Sequence, residues 1–335
     1  MTATKLQHQV HELLEQEGTK GWNLARKELQ TQKTSSKCLG EGLNYLAELP
    51  DYFRPALVSL CSKAVGGRQQ NTLPCGASLI LFGKSLGIHD DIIDDTRKRK
   101  KRLTAYGKFG KEIALILSDV LAFKGFTLFK ENFKIGISTE KLTKILDTIE
   151  KIWFEQAEGE IFEIKSRKCS VTSEQCLAKV RKRASEFEAI MRIGAIIGGG
   201  TEAQIANLGK YGRMLGTASL LRDELIDMLE FDVLRSRILN ESLPLPVIYA
   251  LENAKARAQI EVVLNKHELR VKDLRFISKS SDEAGGFNYV ADHINAMVNQ
   301  ACSCVQGFLE KEKLKFIAST LCIVQADWRE LVQSK

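Results

Sequence analysis

The run His89-Asp90-Asp91-Ile92-Ile93-Asp94-Asp95 packs four carboxylates into a short stretch. On a helix, residues i and i+4 lie one above the other, so Asp90 should stack with Asp94 and Asp91 with Asp95. Like charges held this close repel unless hard divalent cations sit between them. Oxygen-only ligation that leaves coordination positions open suits Mg²⁺ carrying substrate phosphates. The same spacing recurs far downstream at Asp223-Glu224-Leu225-Ile226-Asp227. Two acidic patches facing each other predict a diphosphate site with more than one metal ion.

Directly after the first patch comes Arg97-Lys98-Arg99-Lys100-Lys101-Arg102, although the net charge of the whole chain is only +7. Alone, such a run reads as a solvated face, a nuclear-import signal or a nucleic-acid patch. Beside metal-binding aspartates it supplies what the remaining diphosphate oxygens need, so no nucleic-acid partner is expected. The eight cysteines lack Cys-x-x-Cys pairs and the five histidines show no ligand spacing beside them, which argues against zinc. With no basic-then-apolar leader and no apolar run long enough to cross a bilayer, free thiols in a reducing cytoplasm are the expectation.

The elements that must hold these groups are helical. Only five prolines and 44% hydrophobic residues, rich in Leu and Ala, favour an all-α fold with a substantial core, and no strand-like alternation is visible. One or two amphipathic helices are predicted over 4–40. Two pieces follow over 43–65, the second opened by Pro55 and closed by Gly66-Gly67. A nearly all-apolar central helix over 74–94 carries the first acidic motif. Further helices are predicted over 110–129, 139–165, 173–197, 202–229 and 245–265, with packing helices from 288 to 331. Loops are expected over 166–173 and 278–286. Neither is long enough to be a linker, so one helical domain over 1–335 is the economical reading.

Taken together, these residues resemble the trans-isoprenyl diphosphate synthase (polyprenyl synthetase) family, all-α enzymes that condense an allylic diphosphate with isopentenyl diphosphate. The first acidic motif is similar to the family's first aspartate-rich motif. Arg99, Lys100, Lys101, Thr104 and Phe109-Gly110 stand where the family writes Arg-Arg-Gly-x-Pro-Thr and Phe-Gly. Gly159-Glu160 with Glu163 resembles Gly-Gln-x-x-Asp, Lys182-Arg183-Ala184 falls where Lys-Thr-Ala is usual, and Gly216 leads into the second motif, followed by Pro246-Val247-Ile248. The resemblance implies a single-domain isoprenoid-synthase helical bundle around a central tunnel, and usually a homodimer. It implies that Asp90, Asp91 and Asp94 from one side, and Asp223, Asp227 and Glu224 from the other, clamp about three Mg²⁺ ions on the allylic diphosphate. Arg99, Lys100 and Lys182 would add fixed positive charge, and Leu79, Ile80, Phe82, Leu86 and Ile88 would wall the tunnel. Asp95 reads as a capping acid, and His89 as a packing residue.

The acceptor site departs from the family's pattern. Its Gly-Gly-Lys-Arg-x-Arg-Pro corresponds here to Leu49-Pro50-Asp51-Tyr52-Phe53-Arg54-Pro55, so Arg54 remains while the lysine is Asp51. The histidine two turns before the first motif is Gly83, and the second arginine of the Arg-Arg pair is Lys100. Reversing a charge beside a diphosphate should cost roughly a few kcal/mol. The glycine-lysine loop usual after the second motif looks shortened over 229–240, removing a lysine contact. The leading expectation is therefore a prenyltransferase making linear polyprenyl diphosphates. Its alternatives are a class I terpene synthase, a prenyltransferase with another acceptor, and a non-catalytic partner subunit of a synthase. Ser85, where a short-chain enzyme would carry a bulky aromatic, and Phe82, about one turn deeper, suggest a product near four isoprene units (about C20).

Overall fold

The computed structural model describes residues 3–99, 102–167 and 171–322. As the composition predicts, the fold is all-α. The helices in chain order are α1 (Ala3–Gln30), α2 (Lys37–Ala47), α3 (Phe53–Ala64), α4 (Leu73–Ile93), α5 (Ala105–Phe109), α6 (Lys111–Leu128), α7 (Lys130–Lys134), α8 (Thr139–Ser166), α9 (Ser173–Arg183), α10 (Ser185–Gly198), α11 (Glu202–Asp227), α12 (Phe231–Asn240), α13 (Leu245–Glu252), α14 (Ala254–Leu264), α15 (Val271–Glu283), α16 (Gly286–Cys304) and α17 (Lys311–Ser319). One feature escapes the all-helical expectation. Between α4 and α5, β1 (Lys98–Arg99) and β2 (Arg102–Leu103) pair antiparallel, opposing Lys98 to Leu103 and Arg99 to Arg102.

Most boundaries follow from local chemistry. Pro55 sits in the first turn of α3, where no backbone N–H is needed, and Gly66 ends that region at φ +90°. Thr172 and Gln175 form a reciprocal cap on α9. Three sequence expectations are corrected. The helix expected over 173–197 breaks at Ala184, where the Gln156 amide donates to the Arg183 carbonyl at 2.7 Å and draws it from the helical ladder. The helix expected over 245–265 is interrupted at Asn253, whose side chain accepts from the Lys255 and Ala256 N–H groups and so starts α14. The loop expected over 278–286 is mostly the end of α15. Its serines are absorbed into the helix, as when the Ser281 hydroxyl donates to the Ile277 carbonyl at 2.8 Å.

The chain packs as two compact units. The first comprises Met1–Ile149, Ile190–Leu208 and Gly307–Glu312; the second comprises Glu150–Ala189, Gly209–Gln306 and Lys313–Lys335. In the first unit, α4 is apolar on nearly every face, which only a central position can bury. Its Ala77, Ile80, Leu81 and Ile88 pack with Trp22 and Leu29 of α1, Leu43 and Leu46 of α2, and Leu117 and Leu121 of α6. In the second unit Leu225, Met228, Leu234, Leu245, Val247, Leu274, Ile277, Phe287 and Val290 are buried. No described helix is long and apolar enough to cross a membrane.

Candidate active site

The first acidic motif ends the central helix. Asp94 closes α4, its N–H donating to the Asp90 carbonyl at 2.9 Å, so the Asp90–Asp94 turn is helical. The second stacked pair, Asp91 over Asp95, does not form. The helix stops at Ile93 and Asp95 turns into the left-handed region at φ +49°. Its carboxylate accepts from the Tyr106 hydroxyl at 2.5 Å and from Arg97 Nε at 3.2 Å, and the Tyr106 bond holds it below the usual range. Asp95 therefore anchors the loop after α4.

Asp91 is only 8% exposed, and burial raises its carboxyl despite Arg99, whose Nε lies 2.9 Å from Oδ1. Asp90 and Asp94 are half-buried beside it. The described residues of the basic run do not act as one patch. The ribbon sends Arg97 over the Tyr106 ring, Arg99 to Asp91 and Arg102 to Glu48. Lys100 and Lys101 lie outside the described residues. The imidazole of His89 sits 3.1 Å from the Ser118 hydroxyl on α6, a packing contact.

The second acidic motif, at the end of α11, sorts its three acids by angle. Asp223 and Asp227, one turn apart, share a face, whereas Glu224 is rotated about 100° from Asp223. Glu224 is 7% exposed; its Oε2 accepts from the Leu245 N–H at 2.9 Å and its Oε1 lies 3.4 Å from Arg237 Nη2. Both oxygens are thus engaged within the fold. Asp227 pairs with Arg237 Nη1 at 3.1 Å, and its carboxyl is raised by burial against that cation's pull. Although much of the Asp223 side chain reaches solvent, the protein packed around it reduces hydration. That loss, and then the Asp227 charge, push its carboxyl up to about 6.

Arg237 is a residue that reading by motif misses. The stretch taken as a shortened loop is α12, and its Arg237 is buried, with Nε 3.3 Å from Glu241 but without hydrogen-bond geometry. Phe231, Leu234 and Ile238, at i, i+3 and i+7, carry the helical signal that would have found it.

On α9, Lys182 is half-exposed and pairs with Glu158 on α8 at 2.7 Å. One turn earlier, Lys179 is buried: its ammonium meets Glu163 at 2.5 Å and the Ser242 hydroxyl at 2.9 Å. Burial alone would raise the Glu163 carboxyl. Lys179, then the Ser242 hydroxyl and N–H, bring it down to about 2. Glu163 is therefore committed to an internal ion pair.

The corner around Arg54 differs from the charge reversal read from the sequence. Asp51 does not stand bare: its Oδ2 is 2.5 Å from Arg54 Nη1 and its Oδ1 accepts the Arg54 N–H at 3.3 Å. Lys84 lies close by, its ammonium 2.6 Å from the Leu49 carbonyl and 5.1 Å from the centre of the Trp22 ring. Burial pulls that ammonium down to about 8, against the attraction of Asp51. The repulsion expected of an unpaired aspartate is therefore offset, because Arg54 and Lys84 together outnumber the single carboxylate between them.

Of the two positions expected to set chain length, Ser85 is fully buried and bonded to the Ser118 hydroxyl at 2.9 Å. Phe82 is 4% exposed and meets Phe126 edge-on, with ring centres 4.7 Å apart, and Phe129 at 6.2 Å. Its ring fits because residue 125 is glycine: a Cβ there would sit 2.9 Å from Phe82 Cε1.

The donor chemistry fits magnesium. Each motif offers carboxylate oxygens on a helix end, with no histidine or thiol among the candidates. Among the described residues no three acidic, histidine or cysteine side chains converge to hold an ion by themselves. Carboxylate oxygens suit a small, hard cation that dehydrates reluctantly and takes one or two carboxylates plus phosphate oxygens and water.

Residues 37–280 match the polyprenyl synthetase family. A short chain isoprenyl diphosphate synthase of Methanothermobacter thermautotrophicus is 31% identical over 210 residues, covering 61% of this chain and 64% of that protein. An octaprenyl diphosphate synthase of Haemophilus influenzae is 31% identical over 178 residues, covering 52% of this chain and 51% of that protein. The chain thus matches less than two thirds of the length of either. In structure, the chain superimposes on geranylgeranyl pyrophosphate synthetase from Pyrococcus horikoshii with TM-score 0.80 and 23% identity, covering 93% of this chain and 98% of that one.

Proposed function

We propose that this chain, which belongs to the polyprenyl synthetase family, is a magnesium-dependent trans-prenyltransferase that condenses an allylic diphosphate with isopentenyl diphosphate. Its product is a polyprenyl diphosphate of about four isoprene units, made by a homodimer. The observation that carries the reading is the pair of acidic motifs, each ending a long helix: Asp90, Asp91 and Asp94 at the end of α4, and Asp223 with Asp227 at the end of α11. Like charges one helical turn apart repel, and a hard divalent cation between them offsets that repulsion.

Magnesium, when bound, supplies the positive charge that makes the allylic diphosphate a leaving group. Asp90, Asp91 and Asp94, with Asp223 and Asp227, would hold the ions; Glu224, engaged by Leu245 and Arg237, positions α11 instead. Arg99 and Lys182, whose own side chains are 65% and 46% exposed, would bind phosphate oxygens directly. The C–O bond of the allylic substrate breaks with its electron pair leaving on the diphosphate. The double bond of the acceptor then attacks the resulting carbocation, and the new cation loses the proton on its neighbouring carbon to the departed diphosphate, which restores a double bond. The apolar faces of α4 and α6 would exclude water, which would otherwise capture the cation.

The test incubates purified protein and Mg²⁺ with geranyl, farnesyl or geranylgeranyl diphosphate, with and without isopentenyl diphosphate. Elongation that requires both substrates supports the proposal. Diphosphate release without the acceptor, yielding hydrocarbon or alcohol, would replace it with an ionising terpene synthase. Absence of turnover until a second chain is added would replace it with a partner subunit.

A further inference from the structure

Arg54 reaches its place only because residue 83 has no side chain. A Cβ built on Gly83 falls inside the Arg54 guanidinium, overlapping Cζ, Nε and Nη2. The guanidinium lies against bare α4 backbone, held by Asp51 of the segment that precedes α3. That carboxylate takes both the Arg54 N–H and Nη1, so it restrains the arginine's backbone and its tip together. The next residue on α4, Lys84, grips the segment before α3 through the Leu49 carbonyl. Two adjacent positions of the central helix thus locate a cationic corner: one by leaving volume empty, the other by a hydrogen bond.

We infer that Gly83 is a positioning residue for acceptor binding: the volume it leaves open sets where Arg54 presents its guanidinium to the diphosphate of isopentenyl diphosphate, with Asp51 as the clamp. This inference rests on the proposed condensation reaction. It accounts for glycine inside an otherwise well-packed helix, a position where alanine would favour the helix itself. What a Cβ would displace is the far end of a flexible side chain, not backbone. Substitution should therefore leave the fold intact and move only the arginine.

The experiment is a double-mutant cycle of Gly83→Ala and Arg54→Ala, read as KM for isopentenyl diphosphate, KM for the allylic diphosphate and Tm. Calorimetric titration of isopentenyl diphosphate onto each protein provides a measure of binding that does not need turnover. Gly83→Ala alone should raise the acceptor KM and Kd at least tenfold, with the allylic KM within twofold and Tm equal or higher. In the Arg54→Ala background the same substitution should change neither acceptor constant by more than twofold. Acceptor constants within twofold of the parent after Gly83→Ala overturn the inference, as do equal rises in both KM values or equal effects in the two backgrounds. A parent protein that binds isopentenyl diphosphate yet does not elongate would overturn the proposed reaction while the calorimetric cycle still decides the role of Gly83. A parent that does not bind it at all overturns both.

Discussion

Replacing Phe82 by alanine should lengthen the product. Phe82 lies eight residues before Asp90, about 12 Å along the axis of α4 at 1.5 Å per residue, while Ser85 lies only about 7.5 Å away. A hydrocarbon tail running down this face from a diphosphate at Asp90 passes the small Ser85 and meets the Phe82 ring. That ring is 4% exposed and braced by Phe126 and Phe129. Removing it should cost about 3–5 kcal/mol of stability through lost packing and the cavity left behind. The assay therefore belongs at 25 °C on protein whose unfolding transition has been measured. Each further five-carbon unit entering the opened space would gain roughly 3–4 kcal/mol at about 0.8 kcal/mol per buried methylene. That is enough to retain a growing chain some hundredfold longer before release. Chromatography of dephosphorylated products should show a shift by at least one isoprene unit. A folded Phe82→Ala protein with the parental product distribution would refute the reasoning.

Asp91→Asn should lower kcat by roughly 10²–10³-fold through loss of electrostatic stabilisation while leaving Tm unchanged or higher, because the buried charge it removes is raised by desolvation; a Tm loss in step with activity would assign Asp91 to the scaffold. Glu163→Gln strands the buried Lys179 ammonium and should cost about 3–5 kcal/mol in urea unfolding at pH 7. Because the Glu163 carboxyl sits at about 2 in the folded chain against 4.5 ordinarily, its contribution is complete above pH 4.5 and disappears as pH falls from there towards 2. The glutamine variant should show a correspondingly flatter acid limb, and an unchanged limb would contradict the assignment. The Lys84 ammonium, brought down to about 8 by burial, should lose its charge as pH rises past 8, so KM for isopentenyl diphosphate should climb between pH 7 and 9 and stay flat in Lys84→Arg. The sign for stability is the reverse: a lysine depressed from 10.5 penalises the fold while charged, so its contribution improves as pH rises from about 8 to 10.5.

The amino-acid sequence by itself determined the helices and the places of both acidic motifs along them. Periodic apolar residues, Pro55 at a helix start, Gly66 beyond a helix end and the Thr172 cap act within a turn or two of chain, where each residue's partners are its own neighbours. The apolar character of α4 likewise announces a central helix without any knowledge of what surrounds it. Tertiary structure decided which charged groups are available. Glu224 and Asp223 are adjacent in sequence and alike in chemistry, yet packing against Leu245 and Arg237 engages one and leaves the other near the surface. Lys179 and Lys182 differ by one turn, and only contact with Glu163 and Ser242, the latter 63 residues away, buries the first. Asp51, read along the chain as a misplaced charge, becomes the clamp of Arg54 once α3 lies against the glycine of α4. Ion pairing and burial depend on which helices meet, and that geometry is set by the packing of distant apolar faces.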